Sequence, residues 1–316
     1  MTIARAVELA ERGRGKTYPN PLVGAVVVRG GEVVGEGWHE RHGGPHAEVN
    51  ALRTAGDRAS GATLYVSLEP CTHHGTTPPC VDAILEAGVG RVVVGVRDPN
   101  PNVTGGGVER LRDAGVDVEV VVGEPARRAR DLNAGYLSVH ERGRPWVIYK
   151  AAVTLDGRMT VPGQRWVSGE ESRRRVHELR ASADAVAVGM GTARADAPRL
   201  DARGVDAPKQ PRRIVFGRGH LPEGSELELR SGPLEDELRA LAQEGVQTLL
   251  LEGGATLAAS FFAADLIDKL LVFVAPTLAG DGPAVVAGLA SPVALRRLRS
   301  EQVGDDVLLE AYVHDP

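Results

Sequence analysis

ATLYVSLEPCTHHGTTPPCVDAILEAGVGRVVVGV, residues 62–96, is the stretch on which the fold turns. Ala62 to Leu68 is a short apolar run containing Tyr65 and Val66, which predicts a strand. Val81 to Ala87 predicts a helix, and RVVVGV, Arg91 to Val96, predicts a second strand. Cys71 and Cys80 fall in the irregular chain between strand and helix. The neighbouring sequence continues the alternation. LVGAVVVRGGEVVGEGWH (Leu22 to His39) predicts a hairpin turned by Gly30-Gly31, and His46 to Ala55 predicts a helix. Gly107 to Ala114 predicts another helix, and VDVEVVV (Val116 to Val122) another strand. Helices alternating with apolar strands give an α/β layered domain ending near Gly123.

Residues 124–145 are richer in charge and end in ERGRP; they read as a helical connector. A second alternating series opens at WVIYKAAVTLDGR (Trp146 to Arg158), with strands AVAVGM, RRIVFG, QTLLLE and KLLVFVAP. It closes on LRRLRSEQVGDDVLLEAYV, which has the pattern of a hairpin. The expected domains are therefore 1–123, a connector 124–145, and 146–316. A chain of 316 residues, 42% apolar and 25% charged, is long enough for two cores.

The formal charge of −5 carries no long block of one sign, which argues against a broad grip on nucleic acid or on a membrane surface. No apolar run approaches the roughly 18 residues of a spanning helix. Ile3, Ala6, Val7 and Ala10 follow helical spacing among charged residues, unlike a secretion signal. With only two cysteines, reduced thiols and a cytoplasmic location are expected.

His46-Ala47-Glu48 lies where a helix begins, and Cys71 and Cys80 each precede or open structured chain. One histidine and two cysteines make three ligands for tetrahedral zinc with the fourth position open to water. Zinc lowers the pKa of such a water toward about 7. Glu48, two residues from the histidine and not needed as a ligand, would take its proton and return it to a departing amine. H-x-E followed by P-C…C is the zinc deaminase pattern. The blander readings are two buried thiols or a structural zinc site.

These residues are also familiar together. TYPNPLVGAVVV, GWHERHGGPHAE, SLEPCTHHGTTPPC and RDPNPNVTGGG resemble, in order, the deaminase half of the RibD family of bifunctional riboflavin-biosynthesis enzymes. KAAVTLDGRM, GMGTARADAPRLDAR and LLLEGGATLAASFF resemble that family's reductase half. The resemblance implies a cytidine-deaminase-like three-layer domain followed by a dihydrofolate-reductase-like domain. It also implies zinc and NADPH as cofactors, a phosphorylated aminopyrimidine substrate, and a homo-oligomer built through the reductase half. In the deaminase half it makes Asn20, His39 and His42 substrate contacts. The family often carries Lys or Arg where Thr76 and Gly106 stand; if those hold the substrate phosphate, this chain anchors it differently.

In the second half no GxGxxG follows a strand, so the Rossmann fingerprint is missing. Glu252-Gly253-Gly254-Ala255-Thr256 instead joins strand to helix, where glycines and unpaired N–H groups suit a phosphate. The resemblance makes Ala152, Trp166, Thr192, Asp196 and the turn Gly254, Ala255, Thr256, Leu257, Ala258, Ala259, Ser260 cofactor contacts. Arg218, near a family cofactor position, would favour the 2′-phosphate. It makes Gln164, Arg180, Leu200, Arg203 and Glu252 substrate contacts. Ser168 with Glu171 predicts a capping box opening a helix whose apolar side is Val176, Leu179 and Ala183. Trp166 also reads as core, and Arg180 as a solvated charge like Arg173, Arg174 and Arg175. Asp196 and Glu252 stand equally as the acid that assists ring opening. The competing functions are a nucleoside or tRNA deaminase with an unrelated tail, and a noncatalytic zinc-stabilised pyrimidine-binding protein.

Overall fold

The computed structural model describes residues 2–72, 78–101, 106–221 and 223–316. The chain divides into two compact units, Met1–Arg142 with Pro316, and Gly143–Asp315.

In the first unit the elements run α1 (Ile3–Ala10), β1 (Gly24–Arg29), β2 (Glu32–Trp38), α2 (Ala47–Ala55), β3 (Thr63–Val66), α3 (Cys80–Glu86), β4 (Arg91–Val94), α4 (Gly107–Asp113) and β5 (Asp117–Val120). Helices α5 (Glu124–Leu132) and α6 (Ala134–Arg142) complete it. The sheet order is β2-β1-β3-β4-β5. β1 pairs antiparallel with β2 and β3, while β3, β4 and β5 are parallel. Period-two alternation explains the layers. Leu64, Val66, Val92 and Val94 face α2, α3 and α4 on one side. Val93, with Leu68 and Val96 just beyond the strands, meets α1, α5 and α6 on the other.

β2 is built for close approach by α2. A Cβ on Gly35 would lie 2.3 Å from the Ala51 carbonyl oxygen, and one on Gly37 2.4 Å from the Ala51 nitrogen. Asn50 Nδ2 donates to the Trp38 carbonyl at 2.9 Å, locking helix to strand. That contact fixes the start of α2, where His46 and Glu48 sit.

The segment 124–142, read from its charge as a connector, is part of the first unit. Of its apolar residues, Ala129, Leu132, Tyr136 and Leu137 are buried against the sheet. Charge density hid a narrow apolar stripe, which is enough to dock an amphipathic helix.

The second unit holds β6 (Trp146–Thr154), α7 (Glu170–Ser182), β7 (Ala185–Gly189), α8 (Met190–Asp196), β8 (Arg212–Phe216), β9 (Glu228–Arg230), α9 (Leu234–Gln243), β10 (Thr248–Leu251), α10 (Ala255–Ala263), β11 (Lys269–Ala275), β12 (Arg296–Val303) and β13 (Asp306–Tyr312). Its sheet order is β12-β13-β11-β6-β10-β7-β8-β9. The strands from β11 to β9 pair in parallel, and β12 and β13 form the closing antiparallel hairpin. β9, three residues long, was not foreseen. Tyr149, Leu249, Leu251, Phe261 and Ile214 fill the core.

The expected capping box is absent. α7 starts at Glu170 with Gly169 as N-cap and no side-chain cap. The Gly169 N–H donates instead to Asp306 Oδ2 at 2.8 Å. A tertiary carboxylate holds the approach to this helix where a local hydroxyl was predicted. Among the described residues, no helix is long and apolar enough to cross a membrane.

Candidate active sites

The first site is assembled from two helix starts and one loop. His46 is the extended N-cap of α2, Cys80 opens α3, and Cys71 lies in irregular chain after β3. The ligand atoms of the three residues lie within 4.8 Å of one another. His46 Nδ1 is 3.2 Å from Cys80 Sγ and 3.5 Å from Cys71 Sγ. Zinc–nitrogen and zinc–sulfur bonds near 2.1 and 2.3 Å make tetrahedral edges of roughly 3.6 Å. The donor set and its spacing fit zinc.

The electrostatics agree. A hydrogen bond from Cys80 and another from His46 hold the Cys71 thiol down, to about 4. The same Cys80–Cys71 bond, together with burial, pushes Cys80 up. Two sulfurs competing for one proton form a pocket in which a cation can replace that proton. Glu48 is 3% exposed. Burial raises its carboxyl to about 7, although the charge of His46 pulls the other way. A carboxyl poised there can both accept and release a proton at neutral pH.

Asn20 and His39 join the same site. His39 Nδ1 is 3.1 Å from the Pro45 carbonyl, so that nitrogen carries the proton and donates. Nε2 then accepts from Asn20 Nδ2 at 3.1 Å. Burial lowers the His39 pKa, keeping the ring neutral. Its ring stands edge-on to His46 with centroids 5.3 Å apart. His42 is exposed on the loop leading to His46. Thr76 lies outside the described residues, whereas Gly106 is the N-cap of α4 and brings no charge there.

The second site is a cleft of about 950 Å³ in the second unit, lined on one side by α7. Of the expected residues, Ala152, Trp166, Arg180, Asp196, Arg203 and Glu252 line it. At its floor Glu252 receives a bidentate Arg180, at 2.6 and 2.9 Å, and Lys150 Nζ at 3.1 Å. Burial alone would raise Glu252, but Lys150 and Arg180 outweigh it and hold the carboxyl at about 2. Glu252 is therefore ionised and is no proton donor at neutral pH.

Several sequence readings change here. Trp166 is not core; it is 51% exposed, with the guanidinium groups of Arg165 and Arg173 5.0 and 5.5 Å from its ring. Arg173 and Arg174 line the cleft, whereas Arg175 is a surface charge paired with Glu178. Lys150 and His177 also line it and were missed. Lys150 sits inside an apolar strand, and only the pairing of β6 with β10 brings it over Glu252. Leu200 is core, 2% exposed, and presents almost no surface to a ligand. Gln164 and Arg218 are exposed on turns and are not among the cleft-lining residues.

The expected phosphate turn is the N-terminus of α10. Gly254 is its N-cap, with no side-chain cap and no acidic residue in the first turn. The Thr192 hydroxyl lies 3.8 Å from where a Gly254 Cβ would stand. Free N–H groups beside a hydroxyl fit the pyrophosphate of a dinucleotide. A Cβ on Gly253 would lie 2.7 Å from Leu257 Cδ2, so a larger residue there would push that side chain aside. Ala255 and Thr256 open the helix. Ala258 is wholly buried in the core and presents no surface, and Ser260 Oγ bonds back to the Thr256 carbonyl at 3.1 Å. Ala259 and Ser260 follow in the second turn, half-buried and exposed.

A His/Cys/Cys centre beside a buried carboxylate in a three-layer unit, joined in one chain to a second unit that holds a cationic cleft and, separately, a phosphate-type helix start, defines a zinc-dependent deaminase fused to a nucleotide-dependent reductase. Residues 1–96 match the cytidine and deoxycytidylate deaminase zinc-binding region, and residues 145–309 match the RibD C-terminal domain. The riboflavin biosynthesis protein RibD of Aquifex aeolicus is 39% identical over 96% of this chain and 95% of its own. That of Mycobacterium tuberculosis is 41% identical over 96% and 94%. The solved RibD of Acinetobacter baumannii superposes with a TM-score of 0.88 at 36% identity, over 98% of this chain and 97% of that one. A Thermotoga maritima diaminohydroxyphosphoribosylaminopyrimidine deaminase/5-amino-6-(5-phosphoribosylamino)uracil reductase gives 0.84 at 33% identity, over 98% and 97%. The chain belongs to the RibD family, bifunctional deaminase/reductases of riboflavin biosynthesis that use zinc in the first half and NADPH in the second.

Proposed function

We propose that the first unit removes the 2-amino group of a 2,5-diamino-6-ribosylamino-4(3H)-pyrimidinone 5′-phosphate, and that the second reduces its ribosyl group to ribityl. The observation that carries this reading is Glu48, buried and poised near neutrality beside His46, Cys71 and Cys80. These three residues hold zinc, which when bound supplies Lewis acidity to water. Glu48 takes a proton from the attacking water as the carbon–oxygen bond forms. It returns that proton to the amine as the carbon–nitrogen bond breaks, releasing ammonia. Asn20, its amide oriented by the neutral His39, holds the ring by hydrogen bonds.

In the second unit, Glu252 fixes Lys150 and Arg180 so that their remaining N–H groups meet substrate oxygens, with Arg203 at the rim. Gly254, Ala255, Thr256 and Thr192 hold the dinucleotide, with Trp166 and Asp196 along the cleft. NADPH supplies the hydride for the anomeric carbon. Glu252 being ionised, the proton for ring opening comes from another group lining the cleft.

The protein acts in the cytoplasm, consistent with its two free cysteines. It assembles as a homo-oligomer through the second unit, where Leu278, Leu289, Leu295 and Leu298 are exposed. One coupled assay tests the catalytic reading: purified protein given the authentic pyrimidine releases ammonia and then consumes NADPH. Deamination of cytidine or of a tRNA anticodon loop instead would refute it. Light scattering that finds only monomer would refute the assembly.

A further inference from the structure

Two of the three metal-site residues owe their positions to helices, since His46 caps α2 and Cys80 opens α3. Cys71 lies on no helix, and its Sγ is held by the Cys80 N–H at the start of α3, at 3.4 Å. Its carbonyl accepts the Val81 N–H at 3.3 Å, and the chain before it is irregular. A second anchor lies two residues upstream. Glu69 is only 5% exposed, yet both of its carboxylate oxygens are occupied. Oε2 accepts the Asp98 N–H at 3.2 Å, and Oε1 accepts the Val108 N–H at 2.9 Å. The Glu69 N–H donates to the Val96 carbonyl at 2.9 Å.

Asp98 and Val108 bracket one stretch of chain, so a single side chain fastens both of its ends to the residue before Pro70-Cys71. The packing leaves no slack. A Cβ on Gly107 would lie 2.2 Å from the Pro70 carbonyl oxygen and 2.9 Å from Glu69 Cγ. Asp98 is fixed in turn, since Tyr136 of α6 donates its hydroxyl to Oδ1 and Oδ2 at 2.9 and 3.2 Å. Its Oδ1 also accepts the Asn100 N–H at 2.9 Å.

We propose that Glu69 is a positioning residue of the deaminase centre, a two-ended clamp that keeps the Cys71 sulfur in register with His46 and Cys80. The role rests on the zinc reading of those three residues. It requires a carboxylate, because each oxygen faces a backbone donor. A carboxamide would turn one NH2 group against an N–H, losing a bond and adding a repulsion.

The test is Glu69→Gln in the full chain. Zinc affinity, measured by competition with a chromophoric chelator, falls about tenfold, the low end of what loss of outer support to a metal ligand costs. NADPH-dependent reduction by the same molecules stays within twofold. Val118→Ala, a cavity variant in β5 away from the clamp, lowers the thermal stability of the same unit but keeps zinc affinity within twofold. Parental zinc affinity in Glu69→Gln would overturn the clamp while leaving the zinc reading intact. So would an equal loss in Val118→Ala at matched thermal destabilisation, because stability alone would then explain both. A parent protein that takes up no zinc refutes the metal centre and the clamp together.

Discussion

Replacing Glu252 by Gln removes one negative charge from a site where its side chain is 7% exposed and two cations remain. The carboxyl sits at about 2 against an ordinary 4.5. A depressed carboxylate contributes stability that is present above its unfolded pKa and lost as pH falls through the folded one. Held at about 2, the carboxylate contributes about 3 kcal/mol at pH 7. Breaking a buried pair from one side typically costs about 3–5 kcal/mol, in agreement. At pH 3 the same linkage leaves about 1 kcal/mol. Amide exchange of Leu249, Leu250 and Leu251, in the central strand β10, reports opening of this unit alone. Their exchange in Glu252→Gln should be faster than in the parent by on the order of 100-fold at pH 7, shrinking to about tenfold at pH 3. A ratio below threefold at pH 7, or one that does not change with pH, would show that Glu252 is not held as an ion by Lys150 and Arg180.

Four further outcomes follow from the two sites. Glu48→Gln retains zinc by elemental analysis and loses roughly 10²–10⁴ in the rate of ammonia release; full deamination by this variant would remove Glu48 from proton transfer. Exhaustive chelation abolishes ammonia release but spares NADPH oxidation on pre-deaminated substrate, and parallel loss of both rates would contradict separate sites. Gly254→Asp caps α10 and raises thermal stability by about 0.5–1 kcal/mol, yet repels the dinucleotide phosphates, so KM for NADPH rises at least tenfold; an unchanged KM would move the phosphates elsewhere. Gly37→Ala drives a Cβ into the backbone of α2, and should lower both thermal stability and zinc content; a variant normal in both would show that β2 and α2 have room to separate.

What the sequence could reveal depended on how local each signal was. The apolar run Arg91 to Val96 announces its strand within six residues, and the H-x-E and P-C patterns carry their chemistry within a few residues. The three residues that the fold brings within 4.8 Å of one another were therefore legible before any coordinates. Segment 124–142 was misjudged because a narrow apolar stripe among many charges docks two helices only when a sheet face is waiting for it. Lys150 was invisible for a related reason. Inside WVIYKAAVT it breaks an apolar strand without explanation until parallel pairing sets β6 beside β10 and brings Glu252 to within 3.1 Å.

By itself, then, the sequence determined the two layered units, the zinc ligands and the glycine-rich start of α10, because strand period, helix starts and ligand spacing are all short-range properties of the chain. Only the tertiary structure decided which charges matter. Glu252 is an anchored ion and not an acid, Arg173 faces a cleft and Arg175 does not, and Trp166 is surface and not core. Protonation and exposure are set by neighbours distant in sequence, through burial and Coulomb interaction, and no local pattern encodes them.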